Sequence, residues 1–322
     1  MNQSSHQLPL FYLAPPAYAD EGFKMFLSDE GLLGAMSGLD VTTLLHIPKM
    51  KTGVEKSRNR CILQAMSQIL QLNLIYCKDT VMKKFLLMIA SLPFLLSGAN
   101  IFLAGDSTMC IYKETSAPQQ GWGMALQPLC KDGVKVFNYA QGGRSSMSFI
   151  TEKRWERIRK EAKKGDFVII QFGHNDAHRG EKNLYRSTDP QTTFKLYLRL
   201  YVAEARARGM IPILCTQTAL CIFKDGKTVN KRNTYINACR EIAAETKCAL
   251  IDLNAYAIEK MTAMGKKEAS KFHMIFAPGE NPKFPKGRND VCHLTGVGAK
   301  FYAEALVELA KKQNLPIAEL FK

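Results

Sequence analysis

The sequence has no Cys-x-x-Cys pair, although nine cysteines lie at positions 61, 77, 110, 130, 215, 221, 239, 248 and 292. So sparse a scatter excludes a disulfide scaffold and a paired-cysteine zinc site. His-Glu-x-x-His is missing, and neither a Walker loop nor Gly-x-Gly-x-x-Gly follows any apolar run, so no metal, nucleotide or other cofactor is expected. The Gly-x-Ser-x-Gly elbow that would mark an α/β-hydrolase is absent as well. Acidic residues are few: 29 Asp+Glu face 44 Lys+Arg, a formal charge of +15 that favours an acidic partner such as nucleic acid, anionic lipid or a polyanionic substrate. With 46% hydrophobic and 23% charged residues, the chain has the makings of an ordinary buried core.

Residues 1–81 carry no sustained helical or strand period and are expected to be a leader outside any domain. Met82 opens a different segment: Lys83 and Lys84, an uncharged and mostly apolar run over 85–96, then Ser97, Gly98 and Ala99. That order of basic, apolar and small residues predicts a secretory signal peptide over 82–99, cleaved after Ala99, with Met82 as the true start. A transmembrane helix over the uncharged stretch 85–104 competes with it. Pro93 and the small residues at 97–99 interrupt such a helix, and 101–104 is needed as a strand. A secreted or periplasmic protein without stable membrane insertion is therefore expected. Residues 100–322 would form its one catalytic domain, where 35 basic and 22 acidic residues leave a net charge of +13.

From residue 100 onward, short β-rich runs alternate with longer amphipathic stretches. Strands are expected over 101–104, 134–139, 167–172, 211–216 and 249–253, with helices near 121–130, 148–164, 190–208, 231–246, 257–264 and 298–312. Strand and helix in alternation predict a three-layer α/β/α sandwich around a five-stranded parallel sheet. Ligands of such sheets sit outside the carboxyl ends of the strands.

Four polar clusters fall where that rule points. Gly105-Asp106-Ser107-Thr108 follows the first strand, Gly142-Gly143-Arg144-Ser145-Ser146 the second and Gly173-His174-Asn175-Asp176 the third; Asp290-Val291-Cys292-His293 precedes the last helix. Together they hold the groups that acyl transfer needs: a serine nucleophile, an imidazole to take its proton, a carboxylate to orient the imidazole, and N–H donors for the oxyanion. On these residues alone, Ser107 could instead cap a turn, and His174 competes with His293 for the role of base. Asp290, three residues before His293, favours His293.

The four clusters resemble the signature blocks of the SGNH (GDSL) hydrolase superfamily, and the chain is most similar to the rhamnogalacturonan acetylesterases of carbohydrate esterase family 12. The resemblance runs from about 101 to 312 and rests on GDSTM, GWG at 121–123, NYAQGGRSS, FGHND and DVCHLT, in that order. It implies a flavodoxin-like SGNH fold, a Ser107–His293–Asp290 triad, and an oxyanion hole made by the N–H groups of Ser107 and Gly143 and the Asn175 amide. It also implies removal of acetyl groups from rhamnogalacturonan in pectin. A xylan acetylesterase, a lysophospholipase or a non-catalytic carbohydrate-binding protein on the same fold are the alternatives. Met147 stands where such relatives commonly carry a second arginine, a departure that leaves the triad untouched but does not let the relatives' local substrate contacts be carried over to this chain.

An acetylated acidic polysaccharide is thus the expected partner, and His174, Arg144, Lys231, Arg232 and Arg288 are its candidate contacts. Lys224, Lys283 and Lys286 would add to the field. The basic run over 153–164 reads as the solvated face of a helix, and no nucleic-acid partner is expected.

Overall fold

The computed structural model describes residues 98–322; the expected leader and nearly all of the signal segment lie outside the described residues. Five strands, β1 (Ile101–Gly105), β2 (Val136–Asn138), β3 (Phe167–Gln171), β4 (Ile211–Cys215) and β7 (Ala249–Ile251), form one parallel sheet in the order β2-β1-β3-β4-β7. All five pair in parallel register, as in Ile101 opposite both Val136 and Phe167.

Strand side chains alternate faces, and here both faces are apolar. Ile101, Leu103, Phe167, Ile169, Ile213 and Ile251 join one core layer, under helices α5 (Leu253–Ser270) and α6 (Gly296–Lys312). Phe102, Ala104, Val168, Ile170 and Leu214 join the other, under α1 (Ser146–Thr151), α2 (Arg154–Glu161), α3 (Thr193–Ala207) and α4 (Asn233–Glu245). The result is the three-layer sandwich expected from the sequence. The chain passes from β1 to β2 at one edge and then to β3 on the other side of β1. The topological switch therefore lies between β1 and β3, the place where sheets of this kind form a ligand crevice outside their carboxyl ends.

Three expectations need correction. The stretch 148–164 is two helices, because Ser145 and Ser148 form a reciprocal cap that starts α1 at Ser146, and Lys153 adopts a left-handed φ of 59° between α1 and α2. The stretch 121–130 is two 3₁₀ turns, Trp122–Ala125 and Gln127–Leu129, where Pro128 removes an N–H that a continuous helix would use. Finally, two antiparallel hairpins were not anticipated: β5 (Phe223–Lys224) with β6 (Lys227–Thr228), and β8 (His273–Phe276) with β9 (Arg288–Leu294). Among the described residues, no helix is long and apolar enough to cross a membrane.

Candidate active site

Ser107 emerges from the end of β1 in a tight turn. The N–H groups of Met109 and Cys110 donate to the Asp106 carbonyl, and the buried Asp106 carboxylate accepts from the N–H and hydroxyl of Thr108, both at 2.9 Å. The turn leaves Ser107 half-buried at the crevice, with its carbonyl accepting from the Tyr112 hydroxyl at 2.9 Å. His293 and Asp290 arrive on β9, so the fourth cluster is carried by a hairpin and not by a loop. His293 Nε2 lies 3.0 Å from Ser107 Oγ, and His293 Nδ1 lies 2.8 Å from Asp290 Oδ2.

The Asp290 carboxylate is tightly defined. Its Oδ1 accepts from the N–H groups of Cys292 at 3.1 Å and His293 at 3.0 Å, and its Oδ2 accepts from Arg288 Nη2 at 2.6 Å as well as from His293. Burial pushes its pKa up, but the hydrogen bonds from His293 and Arg288 outweigh burial and hold the carboxyl well below the usual range. An ionised carboxylate only accepts, so His293 carries its proton on Nδ1 and turns the Nε2 lone pair toward the Ser107 hydroxyl. A serine in this arrangement can lose its proton as it attacks a carbonyl carbon.

The second and third clusters hold the candidate N–H donors. Gly142 packs beside Ser107: a Cβ on it would stand 3.8 Å from Ser107 Cβ. Gly143 has a φ of +78°, a conformation that favours glycine. The N–H groups of Ser107 and Gly143 donate to no acceptor among the described residues. Asn175 follows β3 through Gly173, where any Cβ would collide with Gln217 Oε1 at 1.9 Å. Its Nδ2 donates to the Arg144 carbonyl at 3.1 Å, which spends one amide hydrogen and leaves the second for a ligand. Asp176 knits the second and third clusters together by accepting from the Ser146 N–H and hydroxyl and from the Thr188 hydroxyl; burial pushes it up to about 6 despite these bonds.

Residues 103–301 of this chain fit the model of the GDSL-like Lipase/Acylhydrolase family. The chain belongs to that family. It is 34% identical over 221 residues to the rhamnogalacturonan acetylesterase RhgT of Bacillus subtilis (strain 168), covering 68% of this chain and 93% of the relative. It is 25% identical over 226 residues to the rhamnogalacturonan acetylesterase of Emericella nidulans, covering 65% of this chain and 83% of the relative. Among solved structures, the Bacillus subtilis protein YxiM superposes with a TM-score of 0.58 at 27% identity, over 68% of this chain and 57% of that one, so the chain spans little more than half of YxiM. The chain is an esterase of the GDSL (SGNH) type.

Not every expected contact of this GDSL esterase faces the crevice. His174, expected as a substrate contact, is 3% exposed and has both ring nitrogens engaged. Arg232 Nη1 donates to its Nδ1 at 2.9 Å, so Nε2–H donates to Thr218 Oγ1 at 2.9 Å. Burial and the Arg232 charge hold its pKa well below the usual value, and the imidazole that stands 3.0 Å from Ser107 Oγ is that of His293. Arg288 likewise departs from a substrate contact, since it pairs with Asp290 and lies over the Phe284 ring. Arg144 pairs with Glu152 at 2.9 Å and donates to the Gly142 carbonyl. Lys283 donates to the carbonyls of Thr115 and Ala117. Lys224, Lys231 and Lys286 are exposed. One residue at the site was not foreseen: Arg186, whose Nη1 donates to Asn175 Oδ1 at 3.1 Å. It sits in an irregular loop, where no periodicity marks it. The cysteines of this GDSL esterase that fall among the described residues are all free thiols.

Proposed function

We propose that this esterase removes O-acetyl groups from an acidic plant cell-wall polysaccharide, rhamnogalacturonan, through an acetyl-enzyme on Ser107. The observation that carries the chemistry is the continuous relay from Ser107 Oγ through His293 to Asp290. Ser107 Oγ attacks the acetyl carbonyl carbon while its proton passes to His293 Nε2. The oxyanion is met by the N–H groups of Ser107 and Gly143 and the free Asn175 amide hydrogen, and Asp290 stabilises the imidazolium. Collapse breaks the ester bond, and the departing sugar oxygen takes the proton from His293. Water then gives its proton to His293 and attacks the acetyl carbon; acetate leaves and Ser107 regains its hydrogen.

Two similar enzymes bear the name rhamnogalacturonan acetylesterase, which supports the substrate. Charge supports it too, because a net +13 over residues 100–322 attracts a polymer with a carboxylate on each galacturonate. Salt screens such attraction, with a Debye length of about 8 Å at physiological ionic strength. The KM for acetylated pectin is expected to rise with added salt while the KM for 4-nitrophenyl acetate stays put. Equal responses, or a preference for acetylated xylan in an acetate-release panel, would overturn the substrate and leave the esterase chemistry.

A wall polymer is met outside the cytoplasm, and residues 82–99 supply the sequence pattern for export. N-terminal sequencing of the exported protein is expected to begin at Asn100. Retention of residues 1–81 on the mature protein would contradict this.

A further inference from the structure

We infer that Arg186 is a positioning residue for the oxyanion hole: it locks the Asn175 side-chain amide with its N–H edge toward the crevice and polarises it as a donor. This role rests on the proposed part of Asn175 in the reaction.

The inference starts from how the guanidinium is held. The 3₁₀ turn Glu181–Asn183 ends in a loop where the Arg186 N–H donates to the Asn183 carbonyl at 2.9 Å. Arg186 Nε and Nη2 both donate to Asn183 Oδ1, at 2.9 and 2.6 Å, and Asn183 Nδ2 donates to the Arg179 carbonyl at 2.8 Å. Its remaining arm, Nη1, reaches Asn175 Oδ1 at 3.1 Å. Thr188, two residues on, ties the loop back to the Asp176 carbonyl at 3.1 Å. The loop after β3 thus folds back on its own start and delivers one cation to one amide.

Two features separate this from an ordinary loop staple. First, the partners are neutral amide oxygens. Arg144, Arg154, Arg199, Arg240 and Arg288 each meet a carboxylate within 2.9 Å, whereas no carboxylate pairs with Arg186 among the described residues. Its charge is therefore not cancelled by a carboxylate and is shared between these amides and the Tyr185 ring, whose centroid lies 5.5 Å from Cζ. Second, the amide it touches is pinned from both ends. An arginine can only donate, so the atom it meets must be the Asn175 oxygen; the Arg144 carbonyl can only accept, so the atom it meets must be the nitrogen. Asn175 is 6% exposed, and without Arg186 its buried oxygen would lose a charge-assisted bond that water cannot readily replace. A cation on the carbonyl end also draws electron density from the nitrogen and strengthens its N–H as a donor, as in other hydrogen-bonded chains. The same guanidinium stands beside Gly143, where an added Cβ would lie 3.9 Å from Nη1.

A double-mutant cycle on the full chain tests this, with 4-nitrophenyl acetate as a neutral substrate and thermal unfolding as the check on folding. Arg186→Met is expected to lower kcat by about tenfold with KM within about twofold, a smaller loss than for deletion of the donor itself. In the Asn175→Ala background, Arg186→Met should cost nothing further, because its effect passes through that amide. Arg186→Lys keeps the charge and should recover most of the loss; if the Met variant does not fold, Arg186→Lys and Arg186→Gln carry the same cycle. An unchanged kcat in Arg186→Met would overturn the inference, as would an equal loss with and without the Asn175 amide. Should Asn175→Ala itself leave kcat intact, the oxyanion role of Asn175 falls, and the positioning role with it.

Discussion

Ser107→Ala is expected to lose at least about 10⁴-fold in kcat/KM for acetate release, because covalent attack needs the hydroxyl and no other group in the crevice replaces it. The fold should survive. Ser107 is half-buried, its side chain is small, and its Oγ bonds to His293, so stability should change by no more than about 1 kcal/mol. Acetate assay and thermal unfolding on the same preparation separate the two effects. Activity within tenfold of the parent enzyme would remove Ser107 from the reaction.

Asp290→Asn is expected to cost about 10³- to 10⁴-fold in kcat, since an amide cannot hold the Nδ1–H tautomer of His293 as a carboxylate does. The pH profile of the parent enzyme follows from the same group. The folded pKa of Asp290 lies below the ordinary carboxylate range, so the side chain stays charged over the whole working range and does not titrate with activity. Asp290 should therefore add no ionisation of its own to the acid limb of log(kcat/KM), whose slope should not exceed one. The stability that Asp290 gains from its partners has the sign of a depressed carboxylate: it is present above the unfolded value and fades as pH falls toward the folded one. A slope of two, or an Asp290→Asn enzyme within tenfold of the parent, would sink this assignment.

How much of this was legible before the structure differs by kind of residue. The sheet was readable because Ile101, Phe167, Ile211 and Ala249 open apolar runs bounded by turn residues, and strands buried on both faces leave that trace. Helix ends were less readable: the split between α1 and α2 depends on the left-handed backbone at Lys153, which lysine does not announce. The β8–β9 hairpin escaped because His273–Phe276 is short and Arg288–Leu294 alternates charged, apolar and polar side chains without a clear period. Ser107 and Asn175 stood out because they follow β1 and β3 in clustered motifs, and Asp290 and His293 because they lie three residues apart just before the last helix; the structure joins Ser107, His293 and Asp290 in one relay. His174 looked equivalent to them by position, yet its neighbours Arg232 and Thr218, distant in sequence, turn it inward. Arg186 and the pairing of Arg288 with Asp290 are contacts that only folded geometry creates. The spacing of an isolated arginine in a loop says nothing of what it reaches.

The claim that Ser107 is the nucleophile is tested most directly by reacting the enzyme with a serine-directed organophosphate and mapping the adduct by peptide mass spectrometry. One adduct per chain is expected, on the hydroxyl of Ser107, appearing in step with loss of esterase activity and suppressed by His293→Ala. Full inactivation with the label on another residue, or full activity in an enzyme already labelled at Ser107, would contradict it.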